Sequence, residues 1–281
     1  MENNHKENGI FLKGNDKAVL LIHGITGTPA EMNYIARAIH KAGYTVICNT
    51  LPHHCSSLSE LKKVTWQEIL QFCKDDLEKL KKQYSRVFVG GLSMGALISM
   101  HLAYKLPQEV RGIIALSPTL FYDGWAIHKG QALMPLVWHI PFLRKAINIR
   151  ESSPYGLKDE FLRENIRKFY SRAKVNDASG KTVMFGSPFF PLACLYQHSL
   201  FVKIIKKELS CIKSPVIILH ARQDDMTSLR NAQYIFEHIG SEDKGLVVLE
   251  DSYHMIIIDK EKEKVAQEVV KFLDRLSNSR T

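Results

Sequence analysis

Serine 93 stands in the frame Gly91-Leu92-Ser93-Met94-Gly95, directly after the apolar run Arg86-Val87-Phe88-Val89. Glycines two before and two after a serine suit a strand that turns straight into a helix. The apex residue takes a strained backbone conformation, and its hydroxyl is held out over the helix N-terminus. A serine hydroxyl is a weak nucleophile at its own pKa, so it needs a base and a third group that orients the base. The last third of the chain offers both. Residues 215–219 read as a buried strand and lead to Arg222-Gln223-Asp224-Asp225, while residues 246–249 read as another and lead to Glu250-Asp251-Ser252-Tyr253-His254. His254 is the candidate base and Asp224 the candidate acid. Asp225 competes in the same turn, and Asp251 is a weaker competitor because it lies too close in sequence to His254. In acyl transfer, negative charge develops on the former carbonyl oxygen and calls for two fixed N–H donors. Met94, the residue after the nucleophile, supplies one candidate donor. Ile25 supplies the other, from the loop His23-Gly24-Ile25-Thr26-Gly27-Thr28-Pro29 that follows an apolar run at residues 18–22. Ser99 and Ser117 lack the glycine frame and are assigned ordinary helix and loop roles.

These residues must be carried on alternating strands and helices. Thr28-Pro29-Ala30-Glu31 has the form of a capping box with proline at the first helical position, predicting a helix to about Ala42 that Gly43 ends. Residues 44–49 read as the next strand. Thr65-Trp66-Gln67-Glu68 repeats the capping signal before a helix with Ile69, Leu70, Cys73, Leu77 and Leu80 on one face. Residues 112–116 continue as a strand and residues 263–276 close as an amphipathic helix. Alternation of this kind predicts a mostly parallel sheet with helices on both faces.

With its glycine-framed serine, the loop at 23–29 and the order Ser, Asp, His, each beyond a strand, the chain resembles the α/β-hydrolase superfamily. Within it, the resemblance is to the bacterial carboxylesterase and monoacylglycerol lipase group, from about Ala18 to Leu276. The resemblance implies a triad of Ser93, Asp224 and His254, oxyanion donors at the Ile25 and Met94 N–H groups, and hydrolysis of carboxylic esters without a cofactor. A serine at position 93 speaks against the epoxide hydrolase and dehalogenase chemistry that the same fold performs with a nucleophilic aspartate. One segment departs from the group: Pro52-His53-His54-Cys55 stands where members often have Gly-His-Gly. A thioesterase or acyltransferase would use the same groups, and a non-catalytic ligand-binding protein is a further class, less favoured because no triad member is missing.

Chain length and composition set the remaining expectations. The 281 residues, 45% of them apolar, are read as a single α/β-hydrolase domain spanning 1–281. Within it, residues 119–198 lose the alternation and carry five prolines with Phe121, Tyr122, Trp125, Trp138, Phe142, Phe185, Phe189, Phe190 and Tyr196. This insertion is expected to form a cap over Ser93, with helices near residues 129–138 and 159–172, lining an apolar pocket for medium or long acyl chains. The competing reading of each aromatic is simple packing of the cap onto the core. Residues 1–8 are polar and residues 132–143 are broken by Pro135 and Pro141, so neither a secretion signal nor a membrane span is expected. Five cysteines without C-x-x-C spacing fit a reducing cytoplasm. His53-His54-Cys55 lacks the further ligands a zinc site needs, so no metal is expected. The formal charge of +9 permits weak attraction to anionic lipid surfaces. Its lysines fall on patterned helices without a nucleic-acid-binding signature, so no nucleic-acid partner is expected; a small-molecule ester or lipid partner is what the family resemblance implies.

Overall fold

The computed structural model describes residues 9–127, 134–171 and 186–278. In chain order the elements begin with β1 (Ile10–Leu12), β2 (Lys17–Ile22), α1 (Asn33–Lys41), β3 (Thr45–Cys48), α2 (Leu58–Leu61), α3 (Trp66–Lys81), β4 (Arg86–Leu92), α4 (Met94–Lys105) and β5 (Ile113–Leu116). An inserted stretch follows, with α5 (Met134–Val137), α6 (Pro141–Ala146), β6 (Asn148–Arg150), α7 (Glu160–Ser171) and β7 (Phe189–Pro191). The chain continues with α8 (Leu192–Glu208), β8 (Val216–Ala221), α9 (Arg230–His238), β9 (Lys244–Leu249) and α10 (Lys262–Asn278).

Seven strands form one sheet in the order β1-β3-β2-β4-β5-β8-β9, parallel throughout except for β1, which pairs antiparallel with β3. Strand side chains alternate faces, so β2 divides its residues between two cores. Ala18, Leu20 and Ile22 pack with α3, α4 and α8. Val19 and Leu21 pack with α1 and α10. This is the predicted α/β-hydrolase layering. The chain leaves β2 toward β3 and returns to β4 on the opposite side of β2, creating a switch point where the loops after β2 and β4 diverge. A crevice outside the carboxyl ends of the strands is expected at such a point.

Local signals set the helix ends. The Thr65 hydroxyl accepts the Glu68 N–H at 3.3 Å to start α3. Glu31 accepts the Thr28 N–H at 3.1 Å, but the turn Pro29–Met32 is a 3-10 turn and α1 proper begins only at Asn33. Gly43 at φ +101° closes α1 in the left-handed conformation that favours glycine.

Three differences from the sequence reading stand out. β1 is a three-residue edge strand, too short for a periodic signal. α8 starts at Leu192, inside the interval 119–198, and sends Phe201, Val202 and Ile205 into the core beside α4. The insertion holds a two-stranded antiparallel ribbon of β6 and β7 as well as α6, in a stretch where the sequence carries no regular strand signal. Of the helices expected near 129–138 and 159–172, the described parts are α5 and α7; residues 129–133, Arg172 and Phe185 lie outside the described residues. Among the described residues, no helix is long and apolar enough to cross a membrane.

Candidate active site

Ser93 sits between β4 and α4 with φ 56° and ψ −112°. A non-glycine residue in the left-handed region costs about 1–3 kcal/mol and persists only where its surroundings enforce it. Here they do. The Ser93 N–H donates to Leu116 O at 2.8 Å on the neighbouring strand. The glycines of the frame are needed for close approach: a Cβ on Gly91 or Gly95 would collide with the Ile22 carbonyl. The Ser93 hydroxyl is buried and shares a hydrogen bond of 2.8 Å with the hydroxyl of Thr119, a fully buried residue just beyond β5.

The loop after β2 packs against this elbow. The Leu51 N–H donates to His23 Nε2 at 3.2 Å. The His23 proton is therefore on Nδ1, which donates to Gly24 O at 2.9 Å. Burial, followed by the neighbouring His54, pushes the His23 pKa down to about 3 and keeps the ring neutral. Gly24 O also accepts the Gly27 N–H at 3.2 Å, and Thr26 O accepts the Ser187 N–H at 2.9 Å from the far end of the insertion. Ile25 is buried within this braced loop and lines a small cavity with Ser93 and His254. Met94 is the first residue of α4, a position whose N–H has no partner within the helix.

Beyond β8, Asp224 Oδ1 accepts the N–H groups of Met226 and Thr227 at 2.8 and 2.7 Å. This is an Asx-type turn. Its Oδ2 lies 2.8 Å from His254 Nδ1. Asp225 faces elsewhere: its oxygens accept the main-chain N–H groups of Gly156 at 3.0 Å and His254 at 3.3 Å. Asp251 pairs with Lys158 at 3.0 Å on the surface. Burial opposes charge on both Asp224 and His254. Their mutual attraction outweighs it, holding the Asp224 carboxyl below and the His254 imidazole above the usual range.

Several residues that sequence reasoning missed complete the site. The Thr227 hydroxyl lies 3.1 Å from Asp224 Oδ2, 3.2 Å from His254 Nδ1 and 3.3 Å from Nε2 of the buried His220. Its spacing, three residues after an aspartate in a turn, was the available signal. Glu31 and Glu151 line the small cavity. Burial raises Glu31 to about 7, while burial, Asp225 and Glu31 together raise Glu151 to about 8. Burial and then Asp224 lift Asp225 to about 6. The His53-His54-Cys55 segment divides: His53 turns outward to Glu68 at 3.1 Å, and His54 turns inward. Among the described residues, no three His, Cys, Asp or Glu side chains are grouped to hold a metal ion.

The small cavity, about 60 Å³, shares Tyr122, Glu151, Tyr155, Phe190 and Met226 with a larger one of about 710 Å³ beneath the insertion. Leu120, Ile127, Met134, Trp138, Leu195 and Val202 give the larger cavity its apolar wall, with Lys203 and Lys206 also on its lining. Of the other insertion aromatics, Phe121 packs against Tyr234 and Trp125 against Tyr253, while Phe142 is 77% exposed.

Comparison with known proteins finds relatives along most of the chain. Residues 13–261 match the family model described as serine aminopeptidase, S33. The chain is 27% identical over 266 residues to a carboxylesterase of Bacillus subtilis (strain 168), covering 94% of this chain and 95% of the relative. It is 28% identical over 254 residues to a thermostable monoacylglycerol lipase of Bacillus sp. (strain H-257), covering 90% and 89%. Among solved structures, a report on LipS and LipT, two metagenome-derived lipolytic enzymes, supplies a chain with TM-score 0.78 at 22% identity, covering 95% of this chain and 97% of that one. A soluble variant of monoglyceride lipase from Saccharomyces cerevisiae gives 0.76 at 18%, covering 96% and 92%.

Proposed function

Because the chain belongs to the serine aminopeptidase S33 family of α/β-hydrolases, we propose that this hydrolase cleaves carboxylic esters through an acyl-enzyme on Ser93. The observation that carries the reading is the 2.8 Å contact between His254 Nδ1 and Asp224 in the loops beside the strained serine. Ser93 turns from Thr119 toward His254, which takes its proton as the oxygen attacks the ester carbonyl. Asp224 keeps the His254 proton on Nδ1 and stabilises the imidazolium that forms. The N–H groups of Ile25 and Met94 receive the oxyanion, in a site where burial makes such donors worth more than in water. His254 then protonates the leaving alcohol, and water deacylates Ser93 by the same route. The relatives named carboxylesterase and monoacylglycerol lipase support esters, including monoacylglycerols, as the substrate class.

The insertion acts as a cap, and its larger cavity receives the acyl chain. The apolar wall of that cavity supports medium or long chains, with each buried methylene worth about 0.8 kcal/mol. A thioesterase or acyltransferase would use the same groups. A comparison of ester, thioester and alcohol acceptors separates these activities. The direct test is a fluorophosphonate probe together with acetyl, butyryl and octanoyl p-nitrophenyl esters. The expected result is labelling of wild type but not of Ser93→Ala, with kcat/KM rising along the series. Labelling that survives Ser93→Ala would overturn the nucleophile, and a flat series would remove the acyl pocket.

A further inference from the structure

His54 has one ring nitrogen on each of two backbone carbonyls: Nδ1 lies 2.8 Å from Pro52 O and Nε2 lies 2.7 Å from Ile25 O. Carbonyl oxygens only accept, so a ring nitrogen bonds its carbonyl only where it carries the proton. Burial holds the His54 ring below the ordinary histidine range against the pull of these carbonyls, leaving one proton at neutral pH. Burial and His54 likewise keep the adjacent His23 ring neutral; the two rings meet edge to face at 5.0 Å. Both residues flanking His54 are strained, with His53 at φ 63° and Cys55 at φ 56°. Left-handed conformations are unfavourable at non-glycine residues. Such strain persists where the structure over-determines it, and it clusters at functional positions.

The contact reaches one peptide of particular consequence. Ile25 lies between two peptide planes. His23 and Gly27 hold the first through Gly24 O, and His54 holds the second through Ile25 O. Fixing both planes fixes the direction of the Ile25 N–H. We propose that His54 is a positioning residue of the oxyanion loop, donating its Nε2–H to Ile25 O so that the Ile25 N–H is aimed before substrate arrives. This rests on the reading of Ile25 as an oxyanion donor for the Ser93 esterase.

The test exploits amide geometry at position 54. In His54→Gln the amide nitrogen falls where Nε2 lies and can reach Ile25 O. In His54→Asn it falls where Nδ1 lies and reaches only Pro52 O. A misaimed donor should lower kcat by about ten-fold or more with KM little changed. The expected result is that His54→Asn loses that much kcat and the same factor in affinity for a trifluoromethyl ketone transition-state analogue, while His54→Gln stays within about three-fold of wild type. Equal activity of the two variants, or activity in His54→Asn with loss in His54→Gln, overturns the proposal. A long-range ¹H–¹⁵N spectrum of the wild type provides an independent check that requires no variant to fold. His54 Nε2 read as unprotonated at neutral pH overturns the proposal by itself. Wild type that neither hydrolyses esters nor is labelled at Ser93 would instead overturn the esterase reading, before any variant is made.

Discussion

Replacing Asp224 by asparagine should abolish almost all turnover while leaving the fold in place. The reason lies in which oxygen does what. Oδ1 accepts two main-chain N–H groups, from Met226 and Thr227, at 2.8 and 2.7 Å, and Oδ2 faces His254 Nδ1 at 2.8 Å. In Asp224→Asn the single oxygen must stay with the two backbone donors. Flipping the amide would set its NH₂ against both, at about 1–3 kcal/mol for each buried group left unsatisfied, or about 2–6 kcal/mol in all. The unflipped amide presents its NH₂ to His254 Nδ1, which forces the ring proton onto Nε2 and removes the base. A wrong tautomer costs up to about 10⁴ in kcat, or about 5 kcal/mol at 1.36 kcal/mol per decade, comparable with the flip that would escape it. The assay is kcat on a p-nitrophenyl ester at pH 8, with thermal unfolding as the control for folding. Asp225→Asn is the paired control. Its oxygens serve the main chain of Gly156 and His254 and not the imidazole ring, so its loss should stay below about ten-fold. A folded Asp224→Asn enzyme within ten-fold of wild type would refute the reasoning, and a crippled Asp225→Asn beside an active Asp224→Asn would show the triad assignment to be wrong by one position.

The acid limb of kcat/KM should have its midpoint above the ordinary histidine value of 6.5, because the Asp224 carboxylate, bonded to the ring, holds His254 up against burial; a limb at or below 6.5 in a pH–rate profile would contradict this environment. Glu31, at about 7 against an ordinary 4.5, is preferred by the fold in its protonated form. Its stabilising contribution is therefore complete below pH 4.5 and lost as pH rises to about 7, a change of about 3 kcal/mol. Glu31→Gln, which keeps an oxygen for the Thr28 N–H, should flatten urea stability over that window, and an unchanged slope would show that the carboxyl is not strained there. At Cys55, with φ 56°, stability by chemical denaturation should follow the order Gly, Cys, Val, with valine about 1–2 kcal/mol below wild type; a neutral Cys55→Val would mean that the turn relaxes.

Much of this protein is written in local patterns. The glycine frame around Ser93 announces the elbow because backbone-to-backbone approach excludes any side chain at positions 91 and 95, a requirement visible in residue type alone. The Thr65 cap and the apolar face of α3 are similarly local, spanning a few turns of one helix. Asp224 and Asp225, by contrast, are neighbours of identical chemistry. Which of them meets His254 depends on an Asx-type turn closed by Met226 and Thr227, and on a loop from another strand thirty residues away. β1 is not legible in the sequence because three residues carry no period, and its pairing partner β3 lies far along the chain. α8 fell partly inside the expected insertion because its packing against α4, not its pattern, ties it to the core. His54 and Thr119 are the sharpest cases. Nothing in Pro52-His53-His54-Cys55 says that one histidine faces two glutamates at the surface and the next braces Ile25 O. Nothing near Thr119 says that its hydroxyl meets Ser93. Residue type and spacing determine which groups are able to do the chemistry. The direction in which each points is decided by contacts between segments remote in sequence, which exist only once the sheet has assembled.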